Sequence, residues 1–233
     1  ATGSSGDGYK IAKSFRHNIV ETTPSLTALK PSPYNFFLVG VTLKNVALNL
    51  VIEGNVVQSE QGELSFTSGG IEGALGFRVS RKAVKALLKG SKVGLVIDLK
   101  PGLTISQLKD RITRDTLGGK KVDLKKYLQK LMPRQVVDPF IAMNPDISIS
   151  NLPIKLKNWK FDIKGYVGYE RCVVTAGGVD LGEVSRKTLE SKIVPGLYFA
   201  GEILDLDGDT GGYNLQIAFS TGALAGYSAA KAM

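Results

Sequence analysis

The chain has 233 residues, 43% hydrophobic and 22% charged, with a formal net charge of +9. That length and balance suit one large domain or two modest ones with a buried core, and exclude a disordered chain. No run of about 18 uncharged apolar residues occurs, so no membrane span is expected. One cysteine (Cys172) and one histidine (His17) exclude an internal disulfide framework and a zinc site. They also leave no obvious Ser-His-Asp or Cys-His pair. Any chemistry should therefore come from a borrowed group, and redox cofactors are the commonest. The low cysteine count fits a reducing, cytoplasmic setting.

Residues 1–17 read as a Gly/Ser turn and a short amphipathic helix, with Asp7 as its N-cap and Tyr9, Ile11, Ala12 and Phe15 on one face. Pro24, Pro31 and Pro33 lead into a new region. Residues 36–80 alternate: Phe37, Val39, Val41 and Leu43, then Val46, Leu48, Leu50 and Ile52, with Gly54-Asn55 and Gln61-Gly62 as hairpin turns. Val93–Leu99 is a further strand. This predicts a β-rich module, a barrel or sandwich-like sheet.

Residues 102–143 change character. Thr104 or Ser106 can cap a helix carrying Leu108 and Ile112, Asp123 opens a second with Tyr127, Leu128 and Leu131, and Pro133 restarts a third through Val136, Val137 and Phe140. Strand pattern returns at Ile154–Leu156, at Phe161, Ile163 and Tyr166, and at Cys172–Val174. Gly196–Ala200 is a short apolar run of the kind buried on both faces in a parallel sheet, and a final helix is expected over about 212–231.

The positive charge collects in two stretches, Arg81 to Lys92 and Lys109 to Arg134. A basic balance attracts anions. The solvated helix face is the favoured reading, because Tyr127 is the only aromatic residue interleaved for base stacking. Nucleic acid is therefore not an expected partner. Trp159, Tyr166 and Cys172 are read as core, and His17 as a capping or dipole partner at a helix end.

Residues 194–226 carry the sharpest signal. A buried strand ends at Ala200-Gly201 with Glu202 at its carboxyl end, where ligands of open α/β sheets sit. Gly208 to Gly212 then lead into a helix whose first amides and positive dipole end favour an anion or polarised carbonyl. Ala218, Gly222, Gly226 and Ala230 form a stripe of small residues. Asp205-Leu-Asp207-Gly-Asp209 imitates an EF-hand start, but Thr210 and Gln216 stand where that loop needs Gly and Glu. A glycine-rich strand–loop–helix crossover, with glycines for packing and no ligand, stands as the alternative.

The segment VPGLYFAGEILDLDGDTGGYNLQIAFSTGALAG closely resembles the C-terminal FAD-binding signature of the YhiN/BaiN-like flavoprotein family, with Thr221-Gly222 where Ser-Gly is usual. The segments TGSSGDGY (from Thr2), GELSFT (from Gly62) and VTAGGV (from Val174) resemble other family elements. Arg16 replaces a common Gly, and the residues after Thr67 depart from the family's Gly-x-Ser-Gly-Pro. No GxGxxG loop follows a strand, so the chain is expected to be the C-terminal portion of such a protein.

The resemblance implies a partial FAD-binding Rossmann-like α/β domain (1–24 and 191–233), interrupted by a β-rich, barrel-like insert (25–101 and return strands over 151–190) and a small helical subdomain (102–150). It implies a flavin-dependent oxidoreductase using FAD, with NAD(P)H as reductant and a small-molecule substrate. Implied cofactor contacts are Thr2, Gly3, Gly201, Glu202, Asp209, Gly211, Gly212, Tyr213, Asn214 and Leu215. No metal ligand and no catalytic residue is assigned. A sheet edge left exposed leaves room for a homo-oligomer. The alternative is a non-catalytic module docking a protein or nucleic acid through the basic helical insert.

Overall fold

The computed structural model describes residues 4–116 and 123–232. In chain order its elements are α1 (Asp7–Ser14), β1 (Ile19–Ser25), β2 (Leu29–Pro31), β3 (Thr42–Ile52), β4 (Asn55–Thr67), β5 (Gly70–Glu72), α2 (Gly73–Leu88), β6 (Val93–Asp98), α3 (Ile105–Thr116), α4 (Leu124–Leu128), α5 (Arg134–Ala142), α6 (Leu152–Lys157), β7 (Trp159–Tyr166), β8 (Val174–Val179) and α7 (Tyr213–Ala232). They form two compact units. One comprises Ala1–Thr27 with Val167–Met233, the other Ala28–Tyr166.

In the second unit, β2, β5, β4, β3, β6 and β7 pair in that order and close into a barrel. Period-2 alternation explains the closure. Leu48 and Leu50, Leu64 and Phe66, Leu95 and Ile97, and Phe161 and Ile163 all point inward and are buried. Trp159 sits among Phe66, Phe140 and Phe161, with ring centroids 5.9, 5.4 and 4.8 Å away. Helix α2 lays Leu75, Val79 and Ala83, spaced by four, against this core. Helices α3 to α6 add Leu108, Ile112, Leu128, Val136, Phe140 and Leu156 to the same cluster. The helical segment therefore shares a core with the barrel.

Several local expectations are corrected. Phe36–Leu38 is a 3-10 turn capped by the Asn35 side chain, so Phe37 is exposed and β3 begins only at Thr42. Gln61-Gly62 is no turn; Gly62 lies within β4 opposite Val46, where the register slips by a bulge. Residues 73–80 are helical, because the spacing of Leu75, Val79 and Ala83 outweighs the preceding alternation. Ile154 and Leu156 lie on α6, which carries Pro153 in its first turn. Thr104, not Ser106, caps α3: its Oγ1 accepts the Gln107 N–H while Gln107 Oε1 accepts the Thr104 N–H. The expected return strands divide, with β7 closing the barrel and β8 pairing in the other unit.

In the first unit β1 and β8 pair antiparallel, and Val179 adds a parallel bridge to Leu204. The Gly196–Ala200 run is not a long parallel strand. A turn at Val194–Gly196 folds it back on residues 189–191, where the Ser191 N–H donates to the Leu197 carbonyl and the Phe199 N–H to that of Leu189. Only Phe199 of the run is fully buried, beside Val179, Val184 and Leu204. Cys172 is half-buried in the irregular segment before β8. Burial, then the nearby Glu202 charge, raises its pKa above the ordinary thiol value.

Asp7 is the first residue of α1 rather than its cap; Gly6 occupies the cap in left-handed conformation. The Asp7 carboxylate accepts from Lys10 Nζ and Ser5 Oγ, which lowers its pKa. Ala12 is the buried residue of that helix, while Ile11 and Phe15 are exposed. At the other end the His17 N–H reaches the Ala12 carbonyl and the Arg16 N–H that of Lys13, with Arg16 at φ 66°. This is a Schellman ending, which favours glycine at the left-handed position. Arg16→Gly should therefore stabilise the protein by about 0.5–1 kcal/mol, read as a rise in the urea midpoint with an unchanged slope.

Candidate functional site

The close approach of three backbones builds the site. At Gly178, a Cβ would lie 2.4 Å from the Ile203 carbonyl oxygen, and at Gly177 one would lie 2.4 Å from that of Glu21. Both have positive φ. Only glycine lets β8 lie against both β1 and the 201–204 turn. The Asp205 N–H then donates to the Val179 carbonyl. The Thr175 N–H donates to Glu202 Oε1 at 2.5 Å, and the Tyr9 hydroxyl to the Glu202 carbonyl at 3.3 Å. Burial first, and the Glu202 charge second, raise the Tyr9 pKa, so its phenol stays protonated at neutral pH.

Gly201 is buried at φ 75°, and its N–H donates to Thr221 Oγ1 at 2.8 Å. Thr221 passes its own proton to the Ile217 carbonyl of α7. A serine hydroxyl could make the same pair of bonds, which explains why Thr is accommodated there. Asn214 clamps the preceding loop: its Oδ1 accepts the Gly208 N–H, and its Nδ2 donates to the Gly208 and Asp209 carbonyls at 2.9 and 3.3 Å. Gly211 and Gly212, at φ 115° and 91°, turn the chain directly into α7. The first-turn amides of a helix lack intrahelical acceptors, and here Gly211, Gly212 and Tyr213 are exposed, with nothing within 4 Å of a Cβ placed at Gly212. Leu215, Phe219 and Tyr227 continue outward along α7, and Gly222 and Gly226 of the small-residue stripe face outward with them.

The structure thus brings Gly201, Glu202, Gly211, Gly212, Tyr213, Asn214 and Leu215 into one strand-end, loop and helix-start arrangement. Asp209 is exposed in the loop and contributes its carbonyl to the clamp. Thr2 and Gly3 lie outside the described residues. Sequence reasoning missed Thr175, which acts through a backbone N–H with no side-chain signature. Thr221 was visible there only as a departure from the usual Ser.

His17 is more than a helix-end partner. Its ring is buried, with Nδ1 3.0 Å from Glu183 Oε2, Nε2 2.9 Å from Ser191 Oγ, and its edge against Phe199 at 4.7 Å between centroids. Ser191 Oγ already accepts the N–H groups of Ile193 and Val194, so its proton goes to Nε2. The carboxylate can only accept, so Nδ1 carries the hydrogen. The order Ser, His, Glu imitates a hydrolase triad. With both serine lone pairs occupied and the hydroxyl buried, the group is a clasp joining residues 17, 183 and 191. His17→Ala should cost about 2–4 kcal/mol, seen as a lower thermal midpoint, while His17→Gln should recover part of it.

The chain belongs to the HI0933-like protein Rossmann domain family, whose profile matches residues 1–228. It is 30% identical over 98% of its length to a 3-dehydro-bile acid delta(4,6)-reductase of Clostridium scindens, covering 59% of that protein. It is 31% identical to a ribosomal RNA dihydrouridine synthase of Haemophilus influenzae and 32% identical to one of Escherichia coli. Each of those alignments takes in 94% of this chain, with 54% and 55% of the respective relative. The chain therefore spans a little over half the length of these relatives. No described helix is long and apolar enough to cross a membrane.

Proposed function

We propose that this chain supplies part of a flavin site in an oxidoreductase that binds FAD, takes its electrons from NAD(P)H and reduces an unsaturated substrate. The observation that carries the reading is the exposed double-glycine turn at Gly211-Gly212 opening straight into α7. A bound flavin would supply the hydride chemistry.

The residues fit such a group. The amides of Tyr213, Asn214 and Leu215 sit at the positive end of a 20-residue helix, where they would stabilise the negative charge that a flavin ring gains on reduction. The missing Cβ at Gly212 leaves room for a flat ligand. Asn214 keeps the 208–209 loop in place, and Thr221 ties the Gly201 turn to α7. Glu202 would accept from hydroxyl groups rather than meet phosphate, because its carboxylate and those of Asp205, Asp207 and Asp209 repel an anion.

The complete gene product should purify yellow, or become so with added FAD, with an absorbance band near about 450 nm. Anaerobic NADH or NADPH should bleach that band. Glu202→Gln keeps an acceptor for the Thr175 N–H and should weaken FAD binding about three- to tenfold at nearly unchanged thermal stability. A colourless protein that FAD cannot reconstitute would end the proposal, and a band that neither nucleotide bleaches would remove the assigned reductant.

A further inference from the structure

The barrel unit carries the excess charge of the chain, with 22 Lys and Arg against 11 Asp and Glu over residues 28–166. Part of that excess surrounds a cavity. Gln107, Asp110, Arg111 and Arg114 of α3, at i, i+3, i+4 and i+7, share one helix face and line a depression of about 540 Å³. Leu103, from the turn before α3, completes the lining. Small-molecule sites span about 300–1,000 Å³ and combine apolar walls with a few polar groups.

Two local devices hold this lining. The Thr104–Gln107 capping box engages Gln107 Oε1, which leaves the Nε2 hydrogens as donors. Lys157 of α6 donates to the Lys100 and Leu103 carbonyls at 3.1 and 2.7 Å and to Asp98 Oδ2 at 2.5 Å. It pins the 98–103 turn, and Asp98 answers its charge.

The cations at the cavity are poorly answered. Arg114 and Lys100 make no ion pair among the described residues. Arg111 reaches Asp115 at 3.9 Å, through an oxygen that also accepts the Tyr127 hydroxyl at 2.9 Å. Lys100 is half-buried near Arg111, and burial first and the Arg111 charge second lower its pKa. Asp110 is the one carboxylate in the lining. A bound anion would relieve this repulsion.

We infer that this cavity binds a small phosphate monoester, with Arg111, Arg114 and Gln107 donating to the phosphate oxygens. The surplus of cations favours a dianion over a carboxylate, and each guanidinium can donate two parallel N–H bonds to it. A phosphate group fills only part of the volume. The organic body of the ester would lie against Leu103, with Asp110 accepting from a hydroxyl. All of these groups belong to the barrel unit, so the inference does not depend on the flavin reading.

Calorimetric titration of the full chain with ribose 5-phosphate, adenosine 5′-monophosphate, ribose and inorganic phosphate, at one ionic strength, tests this. At least one ester should bind one to one, ribose should not bind, and inorganic phosphate should bind more weakly than the ester. The double variant Arg111→Gln, Arg114→Gln should weaken ester binding at least about tenfold, with an unchanged thermal midpoint because both side chains are exposed. Lysine at both positions should recover only part of the loss, since an ammonium cannot fork. Lys82→Gln, Lys85→Gln removes equal charge from the groove that α2 forms with Ile52 and Val57 of the β3–β4 hairpin, and should leave ester binding unchanged. The inference fails if neither ester binds, if ribose binds as tightly as its phosphate, or if inorganic phosphate matches the ester. It also fails if the two double Gln variants weaken binding equally, which would reduce the effect to the general field of the unit.

Discussion

The candidate site hangs from a close backbone contact at Gly177-Gly178. With no side chain there, β8 can rest against β1 and the 201–204 turn at once, at distances that a single added methyl would violate. The Val179–Leu204 bridge, the Asp205 hydrogen bond and the contact between the Thr175 amide and Glu202 all follow from that approach. Thr221 and Asn214 then fasten the 201 turn and the 208–209 loop to α7. The exposed amides at the helix start are thus held by a chain of short contacts and need no large core of their own.

The two units solve different physical problems. The barrel unit buries a continuous set of branched and aromatic residues under five described helices, and its sequence carries the positive charge. The other unit has a small core around Val179, Phe199 and Leu204 and adds polar clasps, among them the buried His17 between Glu183 and Ser191. Its acids gather in the loop after Gly201.

Much of the barrel was legible because period-2 alternation at Val46 to Ile52, Val93 to Leu99 and Phe161 to Ile163 maps largely onto inward-facing positions. The Asp123 cap and the Pro133 restart were legible because their chemistry is local, whereas Thr104 was one of two caps the sequence allowed. The Leu75–Val79–Ala83 spacing was present as well, but the preceding alternation obscured it. Errors arose where non-local pairing decides. Gly196–Ala200 reads as a buried parallel strand, yet its hydrogen bonds go to residues 189–191 because a proline–glycine turn returns it there.

By itself the sequence determined the core strands of the barrel, the helices of residues 105–142 and the family resemblance, because caps and periodicity depend on neighbours a few residues away, while α2 and α6 read as strand until the fold was known. Tertiary structure alone decided that Thr175 meets Glu202, that His17 is locked between Glu183 and Ser191, and that the lysines of α2 share a groove with the β3–β4 hairpin. Those partners lie tens of residues apart in two of the three cases and well over a hundred in the His17 case. Side-chain chemistry says what such groups can bond, whereas the folded backbone decides which of them come within reach.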